Sequence, residues 1–199
     1  MSTRDKRPES TDTPASSPKA MQAREVAAAV TLTIATDGLP PAEPPPLDRL
    51  LASLPDGRHA RFASKVAQLL DVEEDAALGM LRAIDEPASW EEGFLPGMEL
   101  FHVQGGPAVS AAITGFVRLP AGSHFPDHRH LGEEQVLILQ GFCRDGDQTV
   151  GPGTVLPRPA GSAHSFDVLE GSADLLYLAI VNEGLEVGDL VLRADDPRA

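Results

Sequence analysis

From Phe94 to Leu192 the chain breaks into short apolar or alternating runs, each cut off by Gly, Pro or Asp: residues 98–103, 111–119, 134–139, 148–150, 154–156, 164–169, 175–181 and 187–192. Runs this short cannot form helices long enough to bury a face, whereas alternation with a period of two is the pattern of strands. Eight strands at this spacing predict an all-β sandwich or barrel. Between two of them lies Asp145-Gly146, where a glycine that accepts positive φ suits a tight hairpin. Cys143 is the single cysteine. No intrachain disulfide and no thiolate zinc cluster can form, so a metal would need His and carboxylate ligands.

The first half of the chain reads differently. Residues 1–19 are Ser, Thr, Pro and mixed charge with almost no large apolar side chain, too little to offset ordering entropy, and are expected to be a disordered tail. A short helix is expected within 21–35, and the five prolines of 37–46 make a stiff linker. Three helical patterns follow. The first covers 47–54. The second, 58–70, aligns Phe62, Val66, Leu69 and Leu70 on one stripe,. The third takes Asp71 as N-cap with Glu74 three residues on, a capping-box pattern, and runs through Ala77, Met80, Leu81 and Ile84 until Pro87,. The expected division is a tail and linker at 1–46, a helical segment at 47–92 and a β domain at 94–196. The helical segment alone buries too little to be stable. Its apolar faces must dock on the β domain, on each other in a dimer, or on a partner; Phe62, Val66 and Leu69 could fill a partner's groove.

Net charge is −14, and residues 1–24 carry five Lys/Arg against three Asp/Glu, which leaves −16 on the rest. Such a body repels phosphate backbones, so nucleic-acid binding is not expected. No apolar run approaches the ~18 residues of a membrane span, and the N-terminus lacks the pattern of a secretory signal, which gives a cytoplasmic expectation without membrane attachment.

Chemistry concentrates between Pro120 and Gly141, AGSHFPDHRHLGEEQVLILQG. His128 and His130 are two apart, so on a strand both imidazoles face one side. Glu134 shares a strand face with Val136 and Ile138, and a buried unpaired carboxylate is costly; a cation held with the imidazoles removes that cost. The segment GTVLPRPAGSAHSF adds His164. Three neutral imidazoles and one carboxylate form a reasonable inner sphere for one divalent ion. Glu133 falls on the opposite face and reads as a surface residue. His124 reads as a loop histidine, with a substrate-side group or a fifth ligand as the alternatives, while His59 and His102 read as surface or packing residues. Cys143 reads as a buried structural thiol.

Two blocks carry a specific resemblance. Gly122, His128, His130, Glu134 and Gly141 have the spacing G-x5-H-x-H-x3-E-x6-G, and Gly153, Pro159, Gly161 and His164 have the spacing G-x5-P-x-G-x2-H. Both are similar to the two motifs of the cupin superfamily. The resemblance implies a double-stranded β-helix, a jelly-roll barrel, with His128, His130, Glu134 and His164 as metal ligands. Val168 stands where an Asn often follows the second motif. Within the superfamily the two blocks look most like the cupin domain of ChrR-type anti-sigma factors. That resemblance implies zinc, a sensory role, and a helical domain ahead of the barrel that binds a sigma factor. No cysteine precedes residue 143, so the second zinc motif of those proteins, His-x3-Cys-x2-Cys, is absent.

The expected function is therefore that of a metal-binding, ChrR-like regulatory protein with zinc favoured, the helical segment meeting a sigma factor or other protein, and a homodimer by the habit of the fold. The alternative is a small metalloenzyme of the dioxygenase type. There, six-coordinate iron, manganese or nickel keeps positions open for oxygen or a chelating substrate, and Phe116, Phe166 and Tyr177 shape the pocket. A third reading, a module that binds a small molecule or sugar in the barrel, has little stacking surface to use, since aromatic residues make up 5%.

Overall fold

The computed structural model describes residues 57–196; the expected tail, the helix within 21–35, the linker and the helix at 47–54 lie outside the described residues. Among the described residues, twelve strands form two antiparallel sheets of six. The first sheet has the order β1 (Glu91–Glu92), β2 (Glu99–His102), β3 (Ile113–Leu119), β10 (Leu175–Val181), β5 (Glu134–Gln140) and β8 (Val155–Arg158). The second has β12 (Leu190–Leu192), β11 (Leu185–Val187), β4 (His124–His130), β9 (Ala163–Val168), β6 (Cys143–Asp145) and β7 (Gln148–Val150). Side chains of both inner faces, among them Val117, Leu119, Ile138 and Tyr177 from one sheet and Phe125, Cys143, Val150 and Val168 from the other, make a common buried cluster. This is the barrel interior.

The first sheet is covered on its outer face as well. A 3-10 turn, Ala60–Phe62, leads into α1 (Ala63–Leu70), followed by α2 (Glu74–Ala83). Phe62, Val66 and Leu70 with Ala77, Leu81 and Ile84 join Phe116, Leu137, Leu139, Leu176, Leu178 and Ile180 in a second buried cluster. Strand alternation sorts the two clusters: on β10, Leu175, Tyr177, Ala179 and Val181 face the barrel while Leu176, Leu178 and Ile180 face the helices,. Each large side chain so buried contributes about 1.5–3 kcal/mol. Polar ties hold the layers in register. Lys65 Nζ donates to Gly153 O at 2.9 Å, Trp90 Nε1 donates to Ile84 O at 3.0 Å, and Arg118 lies 3.9 Å over the Trp90 ring while bonding Glu99 at 2.7 Å.

Several expectations need correction. Asp71 does not cap α2. It sits at the end of α1 with φ 56°, a left-handed position that Asp tolerates, and its Oδ2 accepts from the Ala108 amide at 2.9 Å,. The N-cap of α2 is Glu73, without a side-chain cap. The helix expected at 58–70 begins only at Ala63. Phe62 and Val66 are 7% and 0% exposed, so the stripe offered as a groove ligand is already spent on the chain's own sheet. The run at 187–192 is not one strand: Gly188, at φ 57°, turns it into the hairpin of β11 and β12. Strand β4 was not among the runs because its sequence, HFPDHRH, carries few apolar residues.

Candidate metal centre

The site is built by β4, β5 and β9. On β4 the pairing with β9 shifts between Phe125 and His128, with His124 opposite Asp167, Phe125 opposite Phe166 and His128 opposite His164. Two residues of β4, Pro126 and Asp127, thus stand against one of β9, Ser165, a bulge,. It turns Phe125 and His128, three apart, to the same inner side, where both are buried. His128 and His164 are direct cross-strand neighbours with ring centroids 4.5 Å apart. His130 follows on the inner face, 4.9 Å from His128 and 5.3 Å from His164 between ring centroids. Two backbone hydrogen bonds lock the motifs together: His130 N donates to Ser162 O at 2.9 Å, and Gly161 N donates to His130 O at 2.8 Å. The chain then crosses to the other sheet through Gly132, where any side chain would collide with the Asn182 carbonyl, and Glu134 opens β5 facing inward.

All four residues are thereby brought together: one candidate ligand atom from each of His128, His130, Glu134 and His164 lies within 4.8 Å of the others. Small side-chain movements would bring all four to the ~2.0–2.2 Å of first-sphere bonds. The group could hold a metal ion. Burial holds each of the three imidazoles down to about 4, so all are neutral at physiological pH, as ligands must be. Burial pushes Glu134 up to about 7, against the pull of Arg158.

The hydrogen bonds select which nitrogens face the centre. His128 Nδ1 donates to Pro126 O at 3.0 Å, and His164 Nδ1 donates to Asp145 Oδ1 at 3.0 Å, leaving each Nε2 with its lone pair free,. His164 Nε2 and both ring nitrogens of His130 are buried without a hydrogen-bond partner. His130 Nδ1 lies 3.3 Å from Glu134 Oε2 but outside hydrogen-bond geometry. Orphaned buried nitrogens of this kind are costly unless something accepts their lone pairs. A divalent cation would take one lone pair from His130 and that of His164 Nε2, the other His130 nitrogen carrying the ring proton,.

Asp145 and Arg158 complete the surroundings. Arg158 pairs with Asp145 and is the register partner of Glu134, so a salt bridge from β8 to β6 ties the two sheets beside the cluster. Neither residue was singled out from the sequence as part of a site; Asp145 read only as the start of a turn. That turn is formed, with Gly146 at φ 57° and Asp145 paired to Gln148.

The other candidates lie elsewhere. The β4 bulge sends His124 outward, where Nδ1 meets Asp167 at 2.7 Å, so it is no fifth ligand. His102 pairs with Glu91 at 2.9 Å. His59 is buried near the helices, Glu133 is exposed, and Cys143 is buried with its thiol pushed up to about 11 by that burial. Phe116 borders the barrel cavity but belongs to the outer cluster, tilted on Phe101 at 5.6 Å; Phe166 and Tyr177 do line the cavity from within. That cavity holds about 90 Å³ and is bordered by His128, Glu134 and His164 but not by His130.

Two antiparallel sheets closed around an inward His/Glu cluster define the cupin type of barrel. Residues 84–179 match the family described as the ChrR cupin-like domain. That stretch is a cupin domain close to the one in ChrR; α1 and α2 precede it. Among solved structures, the chain is similar to a Ralstonia eutropha protein of unknown function with a cupin-like fold, at 18% identity and TM-score 0.41, covering 49% of this chain and 64% of that one. The chain thus spans less than two thirds of that protein. It is also similar to Rhodobacter sphaeroides SigE in complex with the anti-sigma ChrR, at 24% identity and TM-score 0.47, covering 82% and 81%. A third is an acetylacetone dioxygenase from Acinetobacter johnsonii, at 14% identity and TM-score 0.45, covering 54% and 81%. No curated protein matches the chain.

Proposed function

We propose that the protein is a metal-dependent regulatory cupin of the ChrR-like kind, in which His128, His130, Glu134 and His164 hold one divalent ion, zinc in first place. The observation that carries this reading is the orphaned set of buried nitrogens on His130 and His164 beside a carboxylate that burial keeps near neutrality. Such a set stabilises the fold only when a cation takes the lone pairs. The regulatory side rests on the match of residues 84–179 to the ChrR cupin-like domain. A protein partner, a sigma factor by that likeness, would meet the polar outer side of α1 and α2, because their apolar side is used on the sheet. No helix among the described residues is long and apolar enough to cross a membrane.

A second reading, a dioxygenase-type metalloenzyme, draws on the cavity that reaches three of the four ligands. Metal analysis joined to X-ray absorption at the metal edge separates the two. One zinc with four protein ligands supports the regulatory reading. Iron, manganese or nickel with six ligands supports the enzyme and overturns the first choice.

A further inference from the structure

We infer that Arg158 is the affinity-setting residue of the metal centre: a fixed positive charge, held beside the four ligands by Asp145, that keeps the ion weakly enough bound to exchange. This rests on the proposed metal site and adds to it a regulating residue that is not itself a ligand.

The structure puts the charge close to the cluster. Arg158 ends β8 as the register partner of Glu134. Its guanidinium pairs with Asp145 Oδ2, while Asp145 Oδ1 accepts from His164 Nδ1 at 3.0 Å. Among the residues that border the cavity with His128, Glu134 and His164, Arg158 is the one Lys or Arg. Only 23% of its side chain is exposed, so solvent screens the charge only in part. Burial is the main cause that holds the three imidazoles down, and the field of Arg158 adds to it at each.

The sign of the effect follows from charge. Entry of a divalent ion raises the charge of the cluster by two when Glu134 is already ionised, and by one when its proton is displaced. The cluster becomes more positive in either case, so the guanidinium opposes uptake. Arg158 is not required to orient His164, because a carboxylate alone fixes the tautomer and tilt of a ligating imidazole. Retention of the ion gains nothing from a guanidinium here, whereas reversible occupancy does. A neutral side chain at 158 removes the opposition and leaves Asp145 its full negative charge, and both changes favour the ion. A merely structural salt bridge predicts the reverse: its loss would loosen Asp145 and His164 and weaken the site.

The test measures zinc affinity of the full chain by competition with a chromophoric chelator, and zinc release into excess EDTA. Arg158→Met is expected to bind zinc about tenfold or more tightly than the natural chain, and to release it correspondingly more slowly. Arg158→Lys keeps the charge and is expected to stay within about threefold of the natural chain. Should Arg158→Met not fold, the Arg158→Met, Asp145→Asn double variant leaves neither charge unpaired, and it is expected to bind zinc more tightly than Asp145→Asn alone. Weaker or unchanged binding in either comparison, or a lysine variant that behaves like the methionine one, overturns the role of Arg158 and leaves the metal site standing. A natural chain that binds no zinc overturns both.

Discussion

Glu134 must lose a proton before it can ligate a cation. Burial raises its carboxyl to about 7, whereas the imidazoles of His128, His130 and His164 sit near 4 and are already neutral. Metal uptake at pH 5–6 should therefore release close to one proton, from Glu134, and affinity should fall roughly tenfold per pH unit below about 7,. Calorimetry in buffers of different ionisation enthalpy counts that proton; a Glu134→Gln variant that still releases it would contradict the assignment. Asp145 orients His164 and neutralises Arg158. Asp145→Asn should lower metal affinity about 10–100-fold with the fold intact by circular dichroism, the usual cost of losing an outer partner of a histidine ligand. Unchanged affinity would remove Asp145 from the site. The four clustered residues were legible because their spacing repeats a pattern carried within two short segments. Asp145 and Arg158 were not, since each reaches the cluster only through strand pairing within its own sheet, Arg158 opposite Glu134 and Asp145 opposite Phe166, which no local spacing records.

At the scale of elements, the apolar strands were legible and the polar ones were not. Leu175–Val181 is buried along its whole length and stands out as an apolar run, while β4 spends its inner face on imidazoles and so lacks the hydrophobic alternation that marks a strand. The β4 bulge was equally hidden, and with it the face of His124, whose even separation from His128 places it on the wrong side of an ideal strand. The two helices within the described residues match the apolar stripes at 58–70 and 71–84, but their docking on the first sheet was one of three options left open. His59 lies at that junction, 4% exposed, held down to about 4 by burial and by Arg58, with Asp85 opposing and Arg61 and Arg118 adding to the depression. A histidine lowered on folding takes up protons in the unfolded chain first. Its neutral form costs nothing above pH 6.5, and stability is lost as pH falls from about 6.5 toward 4, by about 3 kcal/mol at most. Denaturant unfolding across that range should show a shallower pH dependence for His59→Phe than for the natural chain; parallel curves would contradict this role.

Over the whole molecule, one sheet carries two cores. The first sheet faces the metal cluster on one side and the helices on the other, and β10 contributes alternate residues to each. Stability is therefore shared between the helical segment and the barrel. Leu70→Ala, at a site 0% exposed, should cost about 2–5 kcal/mol in denaturant unfolding, and a cost below about 1 kcal/mol would mean that the helix is not part of the core. The barrel was legible as a rhythm of short runs, and the two-layer core was not, because alternation tells which residues are apolar but not what lies over each face. All of these features converge on the buried cluster between the sheets. The most direct test is the metal content of the purified full chain beside a His128→Ala, His164→Ala double variant, measured by elemental mass spectrometry. One divalent ion per chain is expected in the natural protein and its loss in the variant; no ion in either, or the same ion content in both, would contradict the assignment.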